Sequence, residues 1–367
     1  MKAQLWRGEL HYKGVTLHTA ASGAIHALDT LWLQLNDGKH QGIGEVRLNI
    51  SYLHGYSEKQ VLANLISVLT TWDWSREPQA MLNAVHAVDS ALLAPARMLI
   101  DMALHDLLAR KASVSLAYWI GANGTPARYR TNQTLFWGSE SQMIKQARRY
   151  VERGFTQLKL RTGVADFATD LARLKTLRQE FGDGISLAID VNGCWSPDDA
   201  HRAFPALREL GLSYVEQPLA PKDDEQLAGL RQYGLPIMLD ESLHSSATIE
   251  RLIAAKGALW GHLKLVKLGG ITPTLAAARR LQAASIPFMI GQMNEGHAAT
   301  AAALQLCRVL QPEFAELYGA DGLADDPVSG LTYRHGEVVV NDSPGLGVHF
   351  NAARATFLQE FCHATTE

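Results

Sequence analysis

The 367-residue sequence holds only three cysteines, Cys194, Cys307 and Cys362, far apart and without a CxxC spacing. That scarcity excludes a disulfide framework and a cysteine zinc site, and it points to reduced thiols in a cytoplasmic protein. No run of about 18 apolar residues is present, so a membrane span is not expected. The opening MKAQLWRGELHYKG has neither an apolar signal core nor a cleavage site. A strong charge of one sign is also missing: the formal charge is -3, with a pI near 6.5. Without a basic face, nucleic acid is not expected as a partner. The GxGxxG and GxxxxGK[ST] fingerprints are absent, which removes the usual dinucleotide and P-loop readings. What is there is an ordinary globular composition, 47% apolar and 19% charged, in a chain long enough for a large core and more than one domain.

The first third reads as an α+β unit. Leu10 to Lys13, Ala27 to Leu35 and Gly42 to Val46 alternate as strands, with Asn36-Asp37-Gly38 as a turn. A helical pattern starts at Glu58, and Ala94 to Arg110 places Leu99, Met102, Ala103 and Leu107 on one face. A boundary is expected at Gly121-Ala122-Asn123-Gly124, giving a cap domain over residues 1–124. From 125 to 340 the pattern becomes strand then helix. Short apolar strands start near Thr131, Gln157, Ser186, Tyr214, Pro236, Leu259, Pro287 and Ala315, each about 22 to 29 residues from the next. Ser139 and Ser196-Pro197 supply helix starts between them. Eight such units predict an α/β protein with a closed TIM-type barrel, in (β/α)7β form. Residues 341–367 begin with the turn-rich Asp342-Ser343-Pro344-Gly345-Leu346-Gly347 and are expected to pack back on the cap domain and complete it.

In such a barrel, chemistry collects at the C-terminal strand ends. Those ends read Leu158-Lys159-Leu160-Arg161, Ile189-Asp190-Val191-Asn192, Val215-Glu216-Gln217-Pro218, Leu239-Asp240-Glu241-Ser242 and Leu263-Lys264-Leu265. Side chains alternate along a strand, so Lys159 pairs with Arg161 and Asp190 with Asn192 on the inward face. Each acid alone could be a cap or an ion-pair residue. Three on consecutive strands would repel one another unless a cation sat between them. Asp190, Glu216 and Asp240 are therefore expected to bind a hard divalent ion, Mg²⁺ first and Mn²⁺ second. Asn192 and Glu241 are expected to support them. With Lys159, Arg161 and Lys264 the site becomes positive and suits a small-molecule carboxylate. A lysine there can remove the α-proton, and the surrounding charge can stabilise the resulting enediolate.

These residues resemble the enolase superfamily, in its muconate-lactonizing-enzyme subgroup. The likeness runs from Leu99-Ile100-Asp101-Met102-Ala103-Leu104-His105-Asp106-Leu107, similar to the family's AxDxAxxDL helix, to Pro344-Gly345-Leu346-Gly347-Val348, similar to its closing PGLGV. Between them lie Lys159, Asp190-Val191-Asn192, Glu216-Gln217-Pro218, Asp240-Glu241-Ser242, and Lys264 ahead of Gly269-Gly270-Ile271-Thr272. The resemblance implies metal ligation by Asp190, Glu216 and Asp240, acid/base work by Lys264, and a contact between Lys159 and the substrate carboxylate. It also implies cap loops, Thr16 to Ala24 and Ile50 to Tyr56, that choose the substrate. Tyr52 and His54 on the second loop, with Asn294 and Glu295 past the seventh strand, are candidate substrate contacts. A homo-oligomer is expected.

One position departs. The subgroup has Lys-x-Lys on the second strand, and here the second lysine is Arg161. Keeping a guanidinium neutral at pH 7 costs on the order of 7 kcal/mol, so Arg161 is expected to be an electrostatic clamp and not a base. The outcome stays open among cycloisomerisation, epimerisation with an unusual partner, and β-elimination by a dehydratase-like or o-succinylbenzoate-synthase-like lyase. A metal-free Schiff-base aldolase using Lys264 and a noncatalytic carboxylate-binding barrel are further alternatives. Lys264 stands where the mandelate-racemase dyad needs an aspartate, so that dyad is missing. The family's dipeptide epimerases carry Asp-x-Asp near the eighth strand. Here the stretch is Glu316-Leu317-Tyr318, which does not favour a dipeptide.

Overall fold

The computed structural model describes residues 1–13, 17–19, 23–136, 138–257 and 259–362. The strands Gln133–Leu135, Gln157–Arg161, Ser186–Asp190, Val215–Glu216, Ile237–Leu239, Leu259–Lys264, Phe288–Gly291 and Phe314–Glu316 form one eight-stranded sheet in chain order. Every neighbouring pair is parallel. The ring closes where Asn132 donates its N–H to the Ala315 carbonyl (3.0 Å) and Leu317 donates its N–H to Thr131 Oγ1 (2.8 Å). Helices follow each of the first seven strands, and Ser139, Ser196 and Ser245 open three of them with reciprocal capping boxes. This is the (β/α)7β barrel expected from the strand–helix repeat.

Alternation divides the strands as a parallel barrel requires. Leu158, Leu160, Leu187, Ile189 and Val191 join the large core shared with the helices. The barrel interior is plugged by Ala188, Tyr214, Met238 and Met289, with Trp260 and Phe314 packed on them. That plug seals the floor beneath the polar strand ends. Among the described residues no helix is long and apolar enough to cross a membrane.

The cap is a four-stranded antiparallel sheet ordered Thr356–Cys362, Lys2–Leu10, Leu28–Asn36, Gln41–Arg47. Thr356–Cys362 is the edge strand of this sheet, antiparallel to Lys2–Leu10. The expected strand Leu10 to Lys13 is shifted: the real strand ends at Leu10, opposite Leu28. Beyond it the chain turns away, with His11 N–H bonded to Asp325 Oδ1 (2.8 Å) and Lys13 N–H to the Gly322 carbonyl (3.2 Å).

Helix Ala94–Lys111 also differs from expectation. It is buried on all sides, not along one face. The cap sheet covers one side so closely that a Cβ on Gly44 would lie 2.0 Å from the Leu99 carbonyl oxygen. The barrel covers the other: Asp101 accepts the Ile271 N–H (2.5 Å) and the Thr272 hydroxyl (2.8 Å). Asp106 accepts the N–H groups of Ile43 (2.9 Å) and Leu346 (2.6 Å). The two acids of this helix are therefore staples between layers.

Cap and barrel meet again at helix His297–Leu310. Glu45 accepts the N–H groups of Gly296, Ala298 and Ala299, and Asp326 accepts that of His297. This satisfies the free N–H groups of the first turn from outside the helix. The His297 ring accepts the Leu331 N–H at Nδ1 (3.4 Å), and burial pulls its pKa from 6.5 down to about 4. Its folded pKa is depressed, so its contribution is complete above pH 6.5 and is lost as pH falls toward 4. We expect this histidine to remove up to about 3 kcal/mol of stability across that window. Denaturant titrations at pH 7 and 4.5 should show a smaller pH difference for His297→Gln than for the parent.

Candidate active site

The strand ends bring the acids and cations expected from sequence into one cluster. Lys159 is 1% exposed. It donates to Glu216 Oε2 at 2.7 Å, stands 3.9 Å from Asp190 Oδ2, and pairs closely with Glu316. Lys264 donates to Asp240 Oδ2 at 2.5 Å. Arg161 Nη1 donates to Asn192 Oδ1 at 2.9 Å and lies 3.7 Å from Asp190 Oδ2. Asn192 in turn donates to Asp190 through its N–H (3.0 Å) and Nδ2 (3.2 Å), and to Glu241 Oε1 (3.2 Å). It can face both because its backbone adopts φ 50°, in the left-handed region asparagine tolerates. Gln217, at φ 36°, ties the fourth strand to the fifth by accepting the Asp240 and Ser242 N–H groups.

Three cluster members were not legible as site residues. Lys267, in the turn after the sixth strand, donates to the Asp240 carbonyl (2.5 Å) and also to its carboxylate. Glu316 ends the eighth strand, holds Lys159, and accepts a hydrogen bond from Asn132 Nδ2 (3.0 Å). Four carboxylates, Asp190, Glu216, Asp240 and Glu316, thus face four cations, Lys159, Arg161, Lys264 and Lys267. The balance is even before any ligand enters. A third unread member is His262, whose Nδ1 lies 2.8 Å from Glu216 Oε1.

The electrostatics follow from burial set against these partners. Burial and Glu216 push Asp190 up to about 6 despite Lys159 and Arg161. Burial opposes ionisation of Glu216 and Asp240 too, yet their lysines hold both below the usual carboxylate range. Glu241 is pushed to about 8 by burial and by the charges of Asp240 and Asp190, and its Oε2 has no partner. The donor chemistry fits a divalent cation: buried carboxylates crowded enough to raise one another, and one acid oxygen left over. Glu216, Asp240 and His262 offer ligand atoms within 4.8 Å of one another.

Over this cluster sits the cap. Helix Ser51–His54 packs beside the turn Leu265–Leu268 that follows Lys264. Tyr52 Oη is buried without a partner, and its phenol lies within electrostatic reach of Arg47 and Arg161. His54 accepts the Tyr56 N–H (3.2 Å) and stacks on that ring; its Nε2 is unpartnered. Asn294 gives its carbonyl to Arg47 Nη1 (3.2 Å) and its amide to Tyr12 Oη (2.9 Å). Glu295 accepts the Met293 N–H (3.1 Å), leaves Oε1 free, and is raised to about 7 by burial. In the other expected cap loop, 16–24, Leu17–Thr19 pairs antiparallel with Gly23–Ile25, and residues 16 and 20–22 lie outside the described residues.

Unpartnered Tyr52 Oη, His54 Nε2, Arg161 Nε, Glu241 Oε2 and Glu295 Oε1 thus belong to cap loop and barrel mouth. Buried polar atoms are rarely left unsatisfied, and such a set suits a ligand that would satisfy them.

Comparison with known proteins agrees with this architecture. Residues 142–354 match the family profile described as enolase C-terminal domain-like. Residues 12–121 match the mandelate racemase / muconate lactonizing enzyme N-terminal domain. A chloromuconate cycloisomerase from Pseudomonas sp. (strain P51) is 33% identical over 338 residues, 88% of this chain and 90% of that protein. The L-Ala-D/L-Glu epimerase of Bacillus subtilis (strain 168) is 30% identical over 69% of this chain and 70% of its own length. Among solved structures, the muconate lactonizing enzyme from Pseudomonas putida superposes with a TM-score of 0.85 at 25% identity, covering 96% of this chain and 97% of its own. A dipeptide epimerase from Cytophaga hutchinsonii gives 0.89 at 22% identity, covering 98% and 99%. The two profile matches together span the cap and the barrel, and on them this chain belongs to the enolase superfamily, among its isomerases of the mandelate racemase and muconate lactonizing enzyme kind.

Proposed function

We propose that this chain isomerises a carboxylate substrate by moving an α-proton from one face, in a cycloisomerisation led by Lys264 at Mg²⁺ held by Asp190, Glu216 and Asp240. The observation that carries the reading is Arg161. Lys264 and Arg161 stand on the sixth and second strands, opposite each other in a ring of eight. Burial works against its charge, but Asp190 and neighbouring groups hold the Arg161 guanidinium above its already high ordinary value. A base on that face is therefore missing, and two-face epimerisation loses its second partner.

In the reaction, Lys264 takes the α-proton and the electron pair passes into the carboxylate as an enediolate. Return of that pair toward the β-carbon breaks a ring bond to oxygen, and the reverse sequence closes it. Arg161 meets the developing negative charge from the far side as a fixed cation. Asp190, Glu216 and Asp240 would hold Mg²⁺, which would supply positive charge where the substrate carboxylate gains electron density. Burial works against the Lys264 charge, but Asp240 and Glu216 outweigh it and hold the ammonium above its ordinary value, so only a lysine relieved of Asp240 moves toward the neutral form.

Glu316 adds support on substrate class. Its carboxylate is occupied by Lys159 and Asn132, and Tyr318 follows where a second acid would be needed. No free acid pair remains there for a dipeptide ammonium. The test is a library of carboxylates, diacids and lactones included, followed by NMR in D₂O with Mg²⁺. Stereospecific deuterium uptake on one face is expected, and Arg161→Met should slow exchange by about 10²-fold, the scale of one lost electrostatic contact, while leaving it present and stereospecific. Equal labelling of both α-epimers, or complete loss of exchange in Arg161→Met, would refute the one-face reading.

A further inference from the structure

His262 is fully buried on the inner face of the sixth strand, two residues before Lys264. Its Nδ1 lies 2.8 Å from Glu216 Oε1 and 4.0 Å from Asp240 Oδ1. Its Nε2 has no partner. The ring rests against Gly291 on the seventh strand, where a Cβ would come within 2.0 Å of Nε2. A glycine at that point makes the imidazole's seat. Any side chain there would push the ring away from the two acids.

Around an octahedral ion with bonds of roughly 2.1 Å, adjacent donors lie about 3.0 Å apart and opposite donors about 4.2 Å apart. The two His262 distances match one adjacent and one opposite donor. We propose that His262 Nδ1 is a direct donor to the divalent cation, adding a nitrogen to the carboxylate oxygens of Glu216 and Asp240. This rests on the metal-binding part of the function proposed above. A nitrogen donor moves the preference of the centre from Mg²⁺ toward Mn²⁺ and the later first-row ions. Only the tautomer with its proton on Nε2 leaves the Nδ1 lone pair free for a cation. With the proton on Nδ1, the ring is instead a hydrogen-bond donor that positions Glu216.

Pulsed EPR on the full chain loaded with one equivalent of Mn²⁺ separates the two roles. Protein carrying ¹⁵N-histidine and unlabelled protein are compared, so the decisive measurement needs no variant. A nitrogen coupling of the size given by a directly bound imidazole, changed by the label, is expected. In His262→Asn that coupling should vanish while Mn²⁺ still binds, with its Kd raised by about tenfold or more and that for Mg²⁺ raised less. Stoichiometric Mn²⁺ without the coupling would overturn the proposal and leave an all-oxygen centre with His262 as a positioning residue. A wild-type chain that binds no Mn²⁺ would overturn this proposal and the metal centre beneath it together.

Discussion

Lys264→Ala should slow α-hydrogen exchange by ~10³-fold or more, the scale of a lost general base at an otherwise intact site. The fold should survive the change. Lys264 is one of two cations on Asp240, and the other, Lys267, reaches both its carbonyl and its carboxylate. Removing Lys264 therefore does not leave a buried acid unaccompanied. Deuterium incorporation by NMR, read beside the melting temperature, separates lost chemistry from lost structure. Exchange that persists within tenfold of the parent would show that another group moves the proton, and Glu295, within electrostatic reach of Lys264 and with a free Oε1, would be the first to test.

The second large effect is on stability. Lys159 is the shared cation of Glu216, Glu316 and Asp190, all of them nearly inaccessible to solvent. Lys159→Met deletes the charge and keeps much of the stem, leaving three acids that repel one another with no lysine between them. Breaking a buried pair from one side costs about 3–5 kcal/mol, so a clear fall in the denaturation midpoint is expected in metal-free buffer. Added Mg²⁺ should restore part of it, since a cation among the acids relieves the same repulsion. A variant as stable as its parent without metal would mean that these carboxylates lose their charge when the lysine is removed.

Both expectations grew from features of the sequence that differ in how openly they show themselves. The barrel was legible because parallel strands buried on both sides read as short apolar runs, and their spacing repeats. The acids were legible because Asp190, Glu216 and Asp240 interrupt those runs where a strand should end. His262 gave no such signal. It sits among Gly261, Leu263 and Leu259 as an isolated histidine, and its partner Glu216 is 46 residues away. Lys267 reads as a surface lysine of a short helix, yet that helix follows the sixth strand directly and its amine reaches back to Asp240. The helix Ala94–Lys111 departs from its one-sided pattern for a related reason. A one-sided pattern describes a helix facing solvent, and this one lies between two layers that no local window contains.

The pairing of Lys2–Leu10 with Thr356–Cys362 has a consequence for how the molecule is made. The edge strand of the cap, Thr356–Cys362, follows the whole barrel along the chain, and its neighbour Lys2–Leu10 precedes it. Until synthesis reaches residue 356, Lys2–Leu10 must wait with one hydrogen-bonding edge bare, while the whole intervening barrel can already form. Completion of the cap sheet therefore waits on synthesis of the barrel, and nascent chains stalled short of that point should expose an adhesive strand to chaperones.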